Sequence, residues 1–306
     1  MFFLTDITRK PLVIGISARA LFNMEAENKI FEEQGYEAYA AYQREHENDT
    51  LEKGPAFELV KAFLRLNELE NSRLIDVIIL SRTSPDTSLR IMKSIQEYEL
   101  DISRAALVGG SARTPYLKAF GTDLFLSAYG SHVKQAIDNN IAAARILTGS
   151  VPETEAVGQI RIAFDGDAVL FAAESERIYQ KQGLQAFIEH EKTHANQPMN
   201  RGPFANFLTT LSHLQGLFAS GDASPIRTAL VTSRNAQVHE RAIRTLRDWN
   251  VRVDEAFFLG GFKKKDILSA FGAHIFFDDQ EVHANPASQV VASAVVPYRE
   301  GDNPMD

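Results

Sequence analysis

The chain has 306 residues, with 32 lysines and arginines against 40 aspartates and glutamates and a net charge of -8. That balance argues against a sequence-independent nucleic-acid binder, which must neutralise many phosphates, but is compatible with a small phosphorylated ligand that needs only a local cation cluster. Hydrophobic residues at 44% and the absence of cysteine describe a globular chain without disulfides or thiolate metal sites.

The opening M-F-F-L-T-D-I-T-R-K lacks the apolar core of a signal peptide, and no window is long enough to span a membrane. A cytoplasmic protein with no membrane partner is therefore expected. Residues 12–16 are an apolar run that predicts a strand, followed by a charged helical stretch over 25–47. Gly54 and Pro55 open an amphipathic helix with Phe57, Val60, Phe63 and Leu64 on one face, leading to a strand over 77–80. A helix over 88–98, strands over 105–108 and 124–126, and an Ala-rich helix running up to Leu147 complete this half. The polar stretch 148–158 reads as a linker.

The second half opens on R-I-A-F-D-G-D-A-V-L-F, Arg161 to Phe171. Ile162, Ala163 and Phe164 read as a buried parallel strand that delivers Asp165 and Asp167 to its C-terminal end, where open α/β sheets place their ligands. Gly166 between them is expected to let the backbone turn sharply and to leave room for a phosphate or a metal. Strands alternating with helices imply a mostly parallel sheet with helices on both faces.

The two halves repeat one another. Gln34-Gly35 and Gln182-Gly183 stand 148 residues apart, and the same offset takes His46 to His194 and Gly54-Pro55 to Gly202-Pro203. A-L-V-G-G at 106–110 matches F-F-L-G-G at 257–261 with an offset of 151, which continues through Ala119-Phe120-Gly121 and Ala270-Phe271-Gly272. Ser81-Arg82 answers Ser233-Arg234 at 152. The expectation is two tandem Rossmann-like units, 1–150 and 151–306, the second carrying a helical cap segment at about 172–220.

The differences between the copies locate the chemistry. Ser17-Ala18-Arg19 stands where the second copy has Asp165-Gly166-Asp167, Arg113 faces Lys264, and Ser127-Ala128 faces Asp278-Asp279. The acids are missing together from the first copy, which points to one shared task in the second and a degenerate, non-catalytic first unit.

At these residues the chain resembles the haloacid dehalogenase-like phosphatases. The D-x-D motif is similar to Asp165-Gly166-Asp167, the strand-ending Thr or Ser to Thr232 in A-L-V-T-S, the helix-opening Lys to Lys264, and the final acids to Asp278-Asp279 in I-F-F-D-D-Q. More narrowly, F-D-G-D-A-V-L-F, E-H-E-K, R-T-A-L-V-T-S-R, D-E-A-F-F-L-G-G, F-F-D-D-Q and S-R-T-S-P-D-T resemble the cytosolic 5'-nucleotidases of type I. The resemblance implies hydrolysis of nucleoside 5'-monophosphates such as AMP, with Mg²⁺. A sugar-phosphate phosphatase, a phosphotransferase passing the phosphoryl group to another acceptor, and a silent nucleotide-binding protein are the alternatives. Oligomeric state is open, a homo-oligomer included.

Residue types support the same chemistry. A phosphomonoester dianion repels an anionic nucleophile unless cations neutralise it. Asp165 is the expected nucleophile and Asp167 the acid and base. Oxygen ligands for a hard cation come from Asp165, Asp278, the backbone carbonyl of Asp167, and Asp279 as a ligand or as the residue orienting one. Thr232, with Ser233 as competitor, and Lys264 would hold the phosphate.

Several residues carry competing readings. Lys264 lies in a run with Lys263 and Lys265 that equally suits a solvated face. His190-Glu191-Lys192-Thr193-His194 fits the H-E-x-x-H of zinc proteases, but no third ligand is evident and chance matching is the preferred explanation. The helix reads instead as a lid segment or as a border of the nucleoside pocket, which makes His190, with Arg234, a candidate nucleoside contact. Arg19, Asn23, Arg82 and Asp86 at strand ends of the first copy are candidates to reach across to base or ribose, against the plainer expectation that they cap helices and pair with neighbours.

Overall fold

The computed structural model describes residues 10–69, 73–148, 158–219, 221 and 224–298. The linker expected at 148–158 falls almost wholly outside them. The strands are β1 (Leu12–Ile16), β2 (Ile75–Ser81), β3 (Arg104–Leu107), β4 (Leu124–Ser127), β5 (Ala142–Ile146), β6 (Ile160–Phe164), β7 (Ile226–Thr232), β8 (Glu255–Phe258), β9 (Ile275–Asp278) and β10 (Ser293–Val295). They form one sheet in the order β3-β2-β1-β4-β5-β10-β9-β6-β7-β8. Every residue of β1, β2 and β4 is buried. Because successive side chains point to opposite faces, both faces of the sheet must be covered. The mostly parallel α/β architecture read from the sequence is the one observed.

The repeat is visible in the strand order, since 3-2-1-4-5 is matched by 8-7-6-9-10. It extends to single backbone angles. Helix α2 (Glu25–Glu45) kinks at Gly35 with φ 83°, and α7 (Glu174–Thr193) kinks at Gly183 with φ 81°. The repeated Gly-Pro pairs answer a different need. A Cβ on Gly54 would lie 2.6 Å from the backbone of Phe22, and one on Gly202 would lie 2.5 Å from the carbonyl oxygen of Phe171. Both glycines are imposed by close chain approach.

The two half-sheets join through β5 and β10, the antiparallel pair. The Ala-rich helix expected up to Leu147 is therefore corrected. Helix α6 (Gly130–Asp138) ends early, and Ala142, Ala143 and Ala144 lie in strand β5. With β4 on one side and β10 on the other, the ladder outweighs alanine's helix preference, and small side chains suit a strand packed on both faces. The join also aligns the copies. Ser127 pairs with Arg145, Arg145 with Val295, and Val295 with Asp278. The C-terminal ends of both half-sheets thus meet on one row, with Ser127 and Asp278 three strand spacings apart, about 14 Å.

Candidate active site

Three second-copy strands deliver the acids and the hydroxyl. Strand β6 ends at Phe164, and the next residue, Asp165, continues the ladder by donating its backbone N–H to the Phe277 carbonyl at 2.8 Å. Phe164 and Phe277 stack with ring centroids 5.6 Å apart, fixing the spacing of the acids that follow each of them, Asp165 and Asp278. Strand β7 ends at Thr232, which is buried and whose Oγ1 lies 3.4 Å from where a Cβ on Gly166 would stand. The neighbouring Ser233 is exposed, so the period of the strand separates the two candidate hydroxyls.

Helix α10 (Lys264–Phe271) supplies the cation at its first residue. Lys264 Nζ lies 2.8 Å from Asp165 Oδ1 and 2.7 Å from Asp278 Oδ2. Its neighbours in the lysine run do not share this: Lys265 bonds to Gln289 at 2.7 Å. Asp278 Oδ1 accepts the backbone N–H of Gln280 at 2.8 Å. Asp279 accepts the hydroxyl of Tyr298. Among the described residues, Asp165, Asp278 and Asp279 form the one converging group of three or more side chains of metal-binding type, with ligand atoms within 4.8 Å of one another.

One lysine does not neutralise three buried carboxylates. Burial pushes the Asp165 carboxyl up to about 7, with Lys264 opposing and Asp278 adding to the rise. Burial, then the charges of Asp165 and Asp278, raises Asp279 well above the usual carboxylate range. Burial would lower Lys264, but Asp165 and Asp278 outweigh it and hold the ammonium charged. A hard divalent cation with oxygen ligands fits this all-carboxylate, charge-deficient set.

Asp167 is not part of that cluster. Arg234 holds its carboxylate at both oxygens and extends a third nitrogen to Glu191. Glu191 also accepts from Arg241 Nη1 at 2.9 Å and from Ser175 Oγ at 2.8 Å. Arg234 is only 4% exposed, so its expected role as a nucleoside contact is corrected: its donors are spent on two acids. Glu191 and Arg241 were missed as site residues, and the H-E-x-x-H reading finds no support. Its glutamate is consumed by arginines, and its histidine rings stack on each other at 4.1 Å, His190 meeting Arg241 at 3.1 Å.

The sharp turn expected at Gly166 lies elsewhere. It is Ala168 that adopts a left-handed conformation, with φ 60°, just after the D-x-D. Gly166 contributes by lacking a side chain beside Thr232.

The first-copy candidates are not brought to the acids. Strand β1 and strand β6 are five positions apart in the sheet, about 24 Å. Arg19 pairs with Glu25 at 2.6 Å, Asn23 bonds to Glu52 at 3.1 Å, and Asp86 pairs with Arg44 at 2.8 Å. Arg82 stands over the Tyr129 ring, with its guanidinium 5.9 Å from the centroid. The expectation that these four reach across to the substrate is corrected.

No described helix is long and apolar enough to cross a membrane. The 5'-nucleotidase family model matches residues 4–303. Human cytosolic 5'-nucleotidase 1B is 37% identical over 302 residues, which is 95% of this chain and 50% of that protein. The chain spans about half the length of that curated relative. With the match running almost end to end, this chain belongs to the 5'-nucleotidase family.

Proposed function

We propose that the chain is a Mg²⁺-dependent, cytosolic nucleotidase that hydrolyses nucleoside 5'-monophosphates at the second copy, through an aspartyl-phosphate. The observation that carries this reading is the convergence of Asp165, Asp278 and Asp279 on one point with Lys264 between two of them. The family match and the relative's name supply the substrate class.

Asp165 attacks phosphorus, and the bond to the ribose 5'-oxygen breaks. Asp167 gives that oxygen a proton and then takes one from the water that releases phosphate. Arg234 holds Asp167 in place for both transfers. Thr232 donates to a phosphoryl oxygen, Ser233 lies on the exposed rim, and Lys264 neutralises charge on Asp165 and the phosphate. A bound Mg²⁺, on Asp165, Asp278, Asp279 and the Asp167 backbone carbonyl, would offset the negative charge of the acids and the phosphate. The test is phosphate release from a panel of nucleoside monophosphates. Hydrolysis that requires Mg²⁺ and is lost in Asp165→Asn supports the reading; an inert panel defeats it.

A further inference from the structure

In the second copy the buried cations sit beside acids. Lys264 has Asp165 and Asp278; Arg234 has Asp167 and Glu191. The repeat sets Arg113 in the place of Lys264 and Arg82 in that of Arg234, but replaces the four acids by Ser17, Ser127, Arg19 and Gln43. The first copy has kept its cations and lost their partners.

Arg113 is 3% exposed and makes no ion pair among the described residues. Its Nε has no hydrogen-bond partner, Nη1 reaches only the Leu80 carbonyl at 3.4 Å, and Nη2 meets a ring nitrogen of His132. Burial and the nearby charge of Arg82 push this guanidinium down to about 10. Arg82 too has no ion pair among the described residues, but it is exposed, so the burden of burial falls on Arg113. A buried, unpaired guanidinium is costly, and a protein that retains one provides for an anion.

The space beside these arginines is open. A cavity of about 510 Å³ lies at the C-terminal ends of β1, β2 and β4, lined by Arg19, Arg82 and Arg113 and by Phe31, Tyr36 and Tyr129. Phe31 and Tyr36, on α2, are 42% and 47% exposed, and Tyr129 carries Arg19 and Arg82 over its ring at 5.4 and 5.9 Å. Two acids at the wall are already engaged, Glu27 with Arg90 at 2.6 Å and Glu32 with Asn28 at 2.8 Å. Volume and lining match a ligand with an aromatic body and a phosphate.

We propose that this cavity is a second nucleotide site that binds without hydrolysing, seating the phosphate on Arg82 and Arg113 and the base against the aromatic wall. Serine and arginine at positions 17 and 19 offer no carboxylate to attack phosphorus, and Ser127-Ala128 offers no metal ligand set. The site goes beyond the hydrolase reading and stands independently of it.

The experiment is calorimetry on the full chain in EDTA, titrating AMP, adenosine and inorganic phosphate. One AMP per chain is expected, about tenfold tighter than either fragment. Arg82→Gln and Arg113→Met should each weaken it about tenfold. Both should retain Mg²⁺-dependent phosphate release, and Arg113→Met should melt no lower than the parent because it removes an unpaired buried charge. Three results would overturn the proposal: no binding at millimolar AMP, equal affinity for AMP and phosphate, or binding that survives both arginine substitutions and disappears in Thr232→Val. If no monophosphate is hydrolysed but AMP still binds in EDTA through Arg82 and Arg113, the hydrolase reading fails and this one remains.

Discussion

Arg234 grips Asp167 from the side, Nε 2.7 Å from Oδ2 and Nη2 2.6 Å from Oδ1. Two parallel bonds fix the plane of the carboxylate as well as its position, which a lysine cannot do. Arg234→Met should lower kcat by about 10²–10³ and cost roughly 3–5 kcal/mol of stability, since it leaves Asp167 without its main partner. Arg234→Lys should recover more of the stability than of the rate. Thermal melts and steady-state assays on the two variants separate these effects.

Asp165→Asn should abolish turnover, by on the order of 10³-fold or more, because an amide cannot take up the phosphoryl group. The same change removes one of three crowded charges at nearly constant volume. In EDTA the variant should therefore melt higher than the parent, and a lower melting temperature would count against the crowding described above.

The metal-free protein should become less stable as pH rises from about 4 to about 7. Asp165 has a folded-state pKa raised to about 7, above the ~3.9 of an unfolded aspartate. A carboxyl raised on folding favours the folded state while protonated, so its contribution is complete below the unfolded value and lost as pH climbs through about 7. Asp279, raised in the same direction, adds to the slope. Saturating Mg²⁺ should flatten it by favouring the ionised acids. Melting curves across this range, with EDTA and with Mg²⁺, read both.

Tyr298→Phe should raise the Mg²⁺ concentration for half-maximal activity by about 10–100-fold and leave kcat at saturating Mg²⁺ near the parent value. The hydroxyl donates to Asp279, and burial together with the Asp279 charge pushes the phenol pKa upward, keeping the donor protonated. A Mg²⁺ titration of phosphate release measures the shift.

The acid cluster was legible because the chain carries its own control. Setting Ser17 against Asp165 and Ser127 against Asp278 isolates the chemistry from the scaffold they share. The pairing of Arg234 with Glu191 was not legible, since 43 residues and a helix separate the two and only tertiary packing joins them. The aspartate pair 278 and 279 was visible, but the tyrosine that anchors Asp279 comes 19 residues later, beyond β10, with no pattern around it. Strand β5 was misread because three alanines favour a helix locally, and nothing nearby in the chain announces the distant strand β10 that recruits them.

The antiparallel seam between β5 and β10 gives the first copy a structural task that does not depend on the acids it lacks. Ala142, Ala143 and Ala144 are at most 5% exposed along that seam. Cutting there would bare a hydrophobic backbone ribbon on each fragment, inviting self-association rather than independent folding. The first copy thus splints the second, a task set by the shared sheet and separate from whatever its own cavity binds.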